Sequence, residues 1–325
     1  MPPRFMSLQA GKLWPSVSPA AVIFALLALL PLIVGLASAP YYLTLFSRIM
    51  IIGIAAMGLN LVLGFGGLVS LGHALYIGIG AYAVGILTRH EITDLGIHVA
   101  VTAVVVSIVA AGIGWVSLRT RGLGFIMITM AFGQMFYYLA VSLKVYGGDE
   151  GLVVSTRSLI AGKHILDDPV VFYYFVFLIL GLVTAGIQAL TIAPFGLVLS
   201  GARQNEQRLT TLGYPLLRYR LTAYIISALV TGIAGCLLAN LTRFSSPEYM
   251  SWTLSGTLVV MAVLGGLSST IGPLMGATVL LLLEEGLSSW TDHWMVAIGP
   301  FIVAVVLLAS DGVYGALLNL RRTDR

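Results

Sequence analysis

The groups able to do chemistry in this chain are few, and their spacing narrows what they can do. Its 325 residues include five histidines and a single cysteine, Cys236. No two histidines stand at metal-ligand spacing and there is no cysteine cluster, so the sequence offers neither a metal centre nor an internal disulfide. His73, set in Ser70-Leu71-Gly72-His73, has two readings. It is either a proton-relay member in a gradient-driven carrier or a local hydrogen-bonding residue beside a glycine-rich turn, and no acid in a nearby apolar segment offers itself as a relay partner. Glu284, Glu285 and Asp311 fall near the ends of apolar segments, which makes them interfacial. Arg48 lies about five residues into its segment, roughly 8 Å from its end at helical rise, where it can snorkel or pair with another helix. A G-x-x-x-x-G-K-[ST] phosphate cradle is absent, so energy must come from a partner or an ion gradient. An intramembrane enzyme would show convergent nucleophiles, acids or ligands, and an ion-coupled carrier would show buried ionisable groups; neither set is evident.

What the sequence does offer is backbone chemistry. Its densest glycine region runs from Gly58 to His73 and continues with Gly78, Gly80 and Gly85. At membrane depth such non-helical backbone is tolerated only where protein or a water-filled cavity satisfies it, which points to a translocation path; the alternative is a short cytoplasmic turn plus small residues for close helix packing. A second interruption, 264–277, shares Gly-Gly-Leu-x-Ser with 66–70, followed in each case by a glycine (Gly72, Gly272). A paired interruption is what an internal repeat leaves at a transporter's substrate site, the alternative being a chance match among small residues. Candidate path residues are therefore Asn60, Gly64, Gly66, Gly67, Ser70, Gly72 and His73 in the first stretch, and Gly265, Gly266, Ser269 and Gly272 in the second. A third feature, 194–213, carries Arg203, Glu206 and Arg208. Its pattern predicts a helix over 195–212 with a stop at Gly213 and Pro215. Too short and polar to span, it suits docking to a soluble partner, or else is a solvated basic loop that anchors topology.

These features must be held by membrane-spanning elements. Lys and Arg number 17 and Asp and Glu 13, so 9 % of residues are charged, against roughly 25 % in a soluble chain. With 58 % hydrophobic residues gathered into long runs, a soluble enzyme is excluded, as are collagen-like, disordered and disulfide-framework classes. Apolar segments lie at about 17–39, 43–63, 71–88, 96–118, 123–143, 169–192, 219–241, 253–264, 271–287 and 294–310; ten spans of about 20 residues would consume most of such a chain. The first ends in Ala37-Ser38-Ala39, which resembles a signal-peptide cleavage site, but its run exceeds the usual 7–15 residues of such a signal, so it reads as a retained span. The net charge of +4 reports orientation here rather than nucleic-acid binding. With the N-terminus inside, eleven of the 17 basic residues fall on the cytoplasmic side and five outside, with Arg48 in a span. The expected fold is all-α: a polytopic membrane protein of about ten transmembrane helices, some broken or re-entrant, with both termini cytoplasmic. It comprises an N-terminal segment 1–16, one permease domain 17–310 with a cytoplasmic loop 193–218, and a tail 311–325.

Taken together, 57–82, 119–125, Gly147-Gly148-Asp149-Glu150-Gly151-Leu152, 194–228 and 264–277 resemble the LivM-type permease subunit of bacterial branched-chain amino-acid ABC transporters. Its most specific parts are Gly58-Leu59-Asn60 leading to Ser70-Leu71-Gly72-His73, and Ala202-Arg203-Gln204-Asn205-Glu206 leading to Leu212-Gly213 and Tyr219-Arg220. The resemblance implies a non-enzymatic transport subunit of the bacterial plasma (inner) membrane. It also implies a second, LivH-like permease, two cytoplasmic ATPases that hold the ATP and magnesium, and an external substrate-binding protein. It assigns ATPase coupling to Phe195, Arg203, Glu206, Leu212 and Gly213. Two positions depart from the family's pattern: Leu68 stands where Gln is usual and Ser268 where Gly is usual. Leu68 removes an amide that could face a polar substrate, so permeases for urea, other amides or organic acids remain alternatives on the same framework.

Overall fold

Apolar runs of this length leave the backbone one way to satisfy its own polar groups in hydrocarbon, the α-helix. The computed structural model describes residues 19–36, 40–160, 162–267 and 269–290, together with 296, 299–300, 302–303 and 312–315. Within them follow α1 (Pro19–Leu36), α2 (Pro40–Asn60), α3 (Ala74–Arg89), α4 (Leu95–Ser117), α5 (Leu123–Ser142), α6 (Pro169–Ile192), α7 (Pro194–Gln204), α8 (Glu206–Thr211), α9 (Leu216–Thr242), α10 (Trp252–Gly265) and α11 (Gly272–Ser288). A π-helical turn, Leu61–Phe65, prolongs α2. Nine of the ten expected apolar segments lie on these helices. The tenth, 294–310, falls almost wholly outside the described residues, as do 1–16, the Ala37-Ser38-Ala39 triplet and most of 311–325. By length and composition, α2 with its extension, α4, α5, α6 and α9 can each cross a bilayer, and the fold is that of an all-α polytopic membrane protein.

The axis of the molecule is α2. Of its most apolar stretch 89 % is buried, against 22 % for α5, and α6, α9, α10 and α11 pack around it. Packing between α3 and α9 is backbone to backbone. A methyl group at Gly80 would run into the Gly232 carbonyl, and one at Gly235 into that of Ile77; small residues of this kind let membrane helices associate through close van der Waals contact.

The two long polar intervals sit at opposite ends of α9, whose 27 residues measure about 40 Å at helical rise. At the Thr242 end, β1 (Leu152–Val153) pairs antiparallel with β2 (Phe244–Ser245). There Arg157 donates to the Asn240 and Leu166 carbonyls at 3.1 and 2.7 Å. Its guanidinium also lies 4.7 Å from the centre of the Phe172 ring. At the Leu216 end lie α7 and α8. The sequence predicted one helix there, but Asn205 adopts an extended conformation and its side chain accepts from the Arg208 amide, capping α8. A short amide side chain competes with the backbone in this way, ending one helix and starting the next.

The eighth apolar segment is helical where expected, and its placement follows from the chain before it. After α9 the chain turns back along α3: Ser245 Oγ donates to the Ala81 carbonyl (2.7 Å), and Met250, at the end of the 3-10 turn Pro247–Met250, lies against Gly78. Only then does α10 begin, beside the start of α3, where Ser255 Oγ accepts from the Ala74 amide at 2.9 Å. Fourteen residues make about 21 Å, too short to cross alone. Before it, the Ser246 side chain caps the Glu248 amide of the 3-10 turn, and Ser251 caps the Leu254 amide as α10 starts. The helix starts within one residue of the expected 253–264 segment, while the partner that it meets there is a tertiary matter.

Candidate functional site

The first interruption begins where the π-helical turn runs out at Gly66 and Gly67 takes φ +69°, a conformation that glycine adopts without strain. The chain then stays irregular until α3 starts. His73 is not at an end of the bundle. It meets Ser227, eleven residues or about 16 Å along α9 from Leu216, so the interruption rises into the bundle interior. A closed hydrogen-bond chain holds it. The carbonyl of Gly58 can only accept, so Ser227 Oγ donates to it (2.5 Å) and must itself accept from His73 Nε2–H (2.7 Å). That assigns Nδ1 as the acceptor for Ser70 Oγ–H (3.0 Å), and Ser70 Oγ in turn accepts from the Gly72 amide (3.4 Å). Tyr76 and Tyr224 stand edge-on to the imidazole at 5.4 and 5.3 Å. Ser70, His73 and Ser227 are fully buried. Both ring nitrogens are engaged by hydroxyls and no carboxylate is among the partners, so the geometry is that of a neutral local hydrogen-bonding residue.

The second interruption has the same local form. Gly266 takes φ +113° after α10, and Ser269 Oγ accepts from the Gly272 amide at 2.6 Å as α11 begins. Distant in sequence, the two interruptions meet. Asn60 Nδ2 donates to the Ser269 carbonyl at 3.0 Å. Gly64 faces the Leu267 carbonyl so closely that a methyl group would collide with it. Asn60 is buried, and its Oδ1 has no hydrogen-bond partner. The glycine at 312 packs against Gly265 and Gly266.

The 194–213 segment reaches this place through one residue. Arg203 crosses Gly67 and donates to the Gly64 carbonyl. Glu206 points elsewhere: it accepts a two-pronged bond from the largely buried Arg220 of α9 (3.0 and 3.1 Å) and pairs with Arg121 of the α4–α5 turn at 3.1 Å. Phe195 stacks on Tyr219 with ring centres 5.7 Å apart. Leu212 is exposed, and Gly213, at φ +87°, ends α8 as its sequence pattern predicts. The predicted residues thus separate into three groups, with Gly66 ending the π-helical turn between the first two. Asn60, Gly64, Gly67, Gly265, Gly266, Ser269, Gly272 and Arg203 converge, whereas Ser70, Gly72 and His73 serve the deeper end of the first interruption, and Phe195, Glu206, Leu212 and Gly213 stand apart.

Sequence reasoning missed Ser227, Ser255 and Arg121, which complete these networks, and singled out Arg220 without giving it a role. A serine within an apolar run was the available signal, but which neighbour it meets is a tertiary matter. It also missed an apolar cavity of about 270 Å³ between α3, α4 and α5, lined by Ile79, Tyr82, Ile86, Val105, Phe136 and Met250 among others. The Tyr82 hydroxyl there is buried without a partner.

Broken helices held at bundle depth and a polar segment joined to one of them are the parts of a transporter. The profile of a family described as "Branched-chain amino acid transport system / permease component" matches residues 41–317. The chain belongs to this family. It is 28 % identical over 289 residues to the high-affinity branched-chain amino acid transport system permease protein LivM of Escherichia coli, covering 81 % of this chain and 68 % of that protein, with the same figures for the Salmonella typhimurium LivM. A probable branched-chain amino acid transport permease protein LivM of Methanocaldococcus jannaschii is 26 % identical, over 76 % of this chain and 82 % of that protein. No solved structure matches. As a member of this permease family the chain is a transport subunit of a membrane rather than an enzyme.

Proposed function

We propose that the chain moves branched-chain amino acids inward as one half of a permease pair in a bacterial plasma membrane. A second, LivH-like permease completes the path, an external binding protein delivers the substrate, and two ATPases supply ATP hydrolysis with their own magnesium. In this reading α7 and α8 face the cytoplasm, where most of the basic residues of short loops then lie, and the 144–168 interval faces outside. The paired interruptions form the inner gate. The observation that carries the substrate choice is the apolar cavity lined by Ile79 and Met250 among others; Ile79 lies less than two helical turns along α3 from His73.

A leucine side chain leaving water for such a wall gains about 2 kcal/mol, close to 30-fold in occupancy, whereas urea gains nothing from it. The helix starts at Ala74 and Gly272 are capped by Ser255 and Ser269 of the chain itself. Any use of those amides by a substrate carboxylate therefore requires the gate to open first. Reconstitution with the ATPases and binding protein in liposomes tests the reading: leucine uptake should exceed urea uptake by at least about tenfold. Urea transport without leucine transport would move the chain to the urea-type alternative.

A further inference from the structure

The polar segment that follows α6 has two anchors of different kinds. Glu206 binds Arg220 and Arg121, which belong to α9 and to the α4–α5 turn. These elements form the frame. Arg203 instead binds the interruption itself. Its stem fills the space that the missing side chain of Gly67 leaves, where a Cβ would stand 2.8 Å from Arg203 Cγ, and its guanidinium donates to the Gly64 carbonyl. Carbonyls in the last turn of a helix lack intrahelical donors, and Arg203 supplies one to this carbonyl. Across Gly64 lies the Leu267 carbonyl, and one turn back Asn60 holds the Ser269 carbonyl. A continuous line of contact therefore runs from α7 through Arg203 and the end of α2 to the start of α11.

We propose that Arg203 is a positioning residue, a strut that transmits displacement of α7 to the paired interruptions instead of gripping the ATPase. The proposal rests on the permease reading above and names the residue through which coupling enters the gate. In this arrangement Glu206 keeps α8 fixed to the frame, and any movement of α7 pulls on the Gly64 carbonyl. Gly64 is packed without slack against Leu267, so the second interruption must follow.

The test uses the assembled transporter in liposomes, with spin labels at Gln204→Cys and Thr270→Cys to follow the distance between α7 and the second interruption. In Arg203→Met, which keeps the apolar stem over Gly67 and removes the donor, the ATPases should still co-purify. Uptake per ATP hydrolysed should fall about tenfold, the usual size of a coupling effect, and the nucleotide-dependent change in label distance should disappear. Arg203→Lys, which restores a cationic donor, should recover most of both. An Arg203→Met transporter with unchanged uptake per ATP and an unchanged label response would overturn the strut. So would loss of ATPase co-purification, which would make Arg203 a direct ATPase contact, or a lysine variant no better than methionine. If the parent transporter carries no leucine yet its label response still depends on Arg203, the substrate assignment fails and the strut stands.

Discussion

The two interruptions share Gly-Gly-Leu-x-Ser, a second glycine at positive φ and a serine hydroxyl that caps an amide at or just before the restarting helix, yet the structure uses them differently. The first is tied to three other helices: His73 to Ser227 of α9, the Ala74 amide to Ser255 of α10, and Gly72 against the Thr129 carbonyl of α5. The second, among the described residues, caps its own restart at Gly272, meets the end of α2 through Asn60 and Gly64, and leads into α11, which packs on α2, with the glycine at 312 against it. The same local grammar thus produces a fixed hub in one place and a dependent partner in the other. What separates them is the number of outside groups that must break before the segment can move. In the proposed gate the first interruption is therefore the more firmly tied of the two.

The sharpest way to break that comparison is to add bulk to each side. Gly72→Leu forces a side chain into the Thr129 backbone and should cost more than about 4 kcal/mol, leaving little folded protein by size-exclusion chromatography in detergent. Gly266→Leu, strained at φ +113°, should leave folded protein that transports poorly. Equal losses of folded protein would mean that the two interruptions are equally structural.

A gentler comparison removes one hydroxyl from each. Ser227→Ala strands the Nε2–H of a buried imidazole and should cost about 2 kcal/mol. Ser269→Ala removes only a cap from the Gly272 amide and should cost about 1 kcal/mol. Thermal unfolding in detergent reads both, and a larger shift for Ser269→Ala would reverse the ranking. The smallest effect is expected at Arg48, which is exposed on α2 far from either interruption. Arg48→Gln should keep uptake within about twofold of the parent, since a snorkelling side chain contributes little to a path it does not line. A tenfold loss would place Arg48 on that path.

Hydropathy alone was enough to read the all-α membrane architecture and nine of its helices, because a span must be continuously apolar wherever it packs. Glycine spacing was likewise enough to find both interruptions, and 194–213 stood out within one of two long polar intervals. These are properties of neighbouring residues, and a sequence displays its neighbours. It could not display that Asn60 would find Ser269 and Arg203 would find Gly64, across separations of 209 and 139 residues. Nor could it show that His73 would have both nitrogens occupied by serines, or that α10 and the chain before it would lie against α3. Those outcomes depend on which helix faces lie together at which height. That is set by close backbone packing at glycines such as Gly64 and Gly80, where contact distance rather than composition decides the partner.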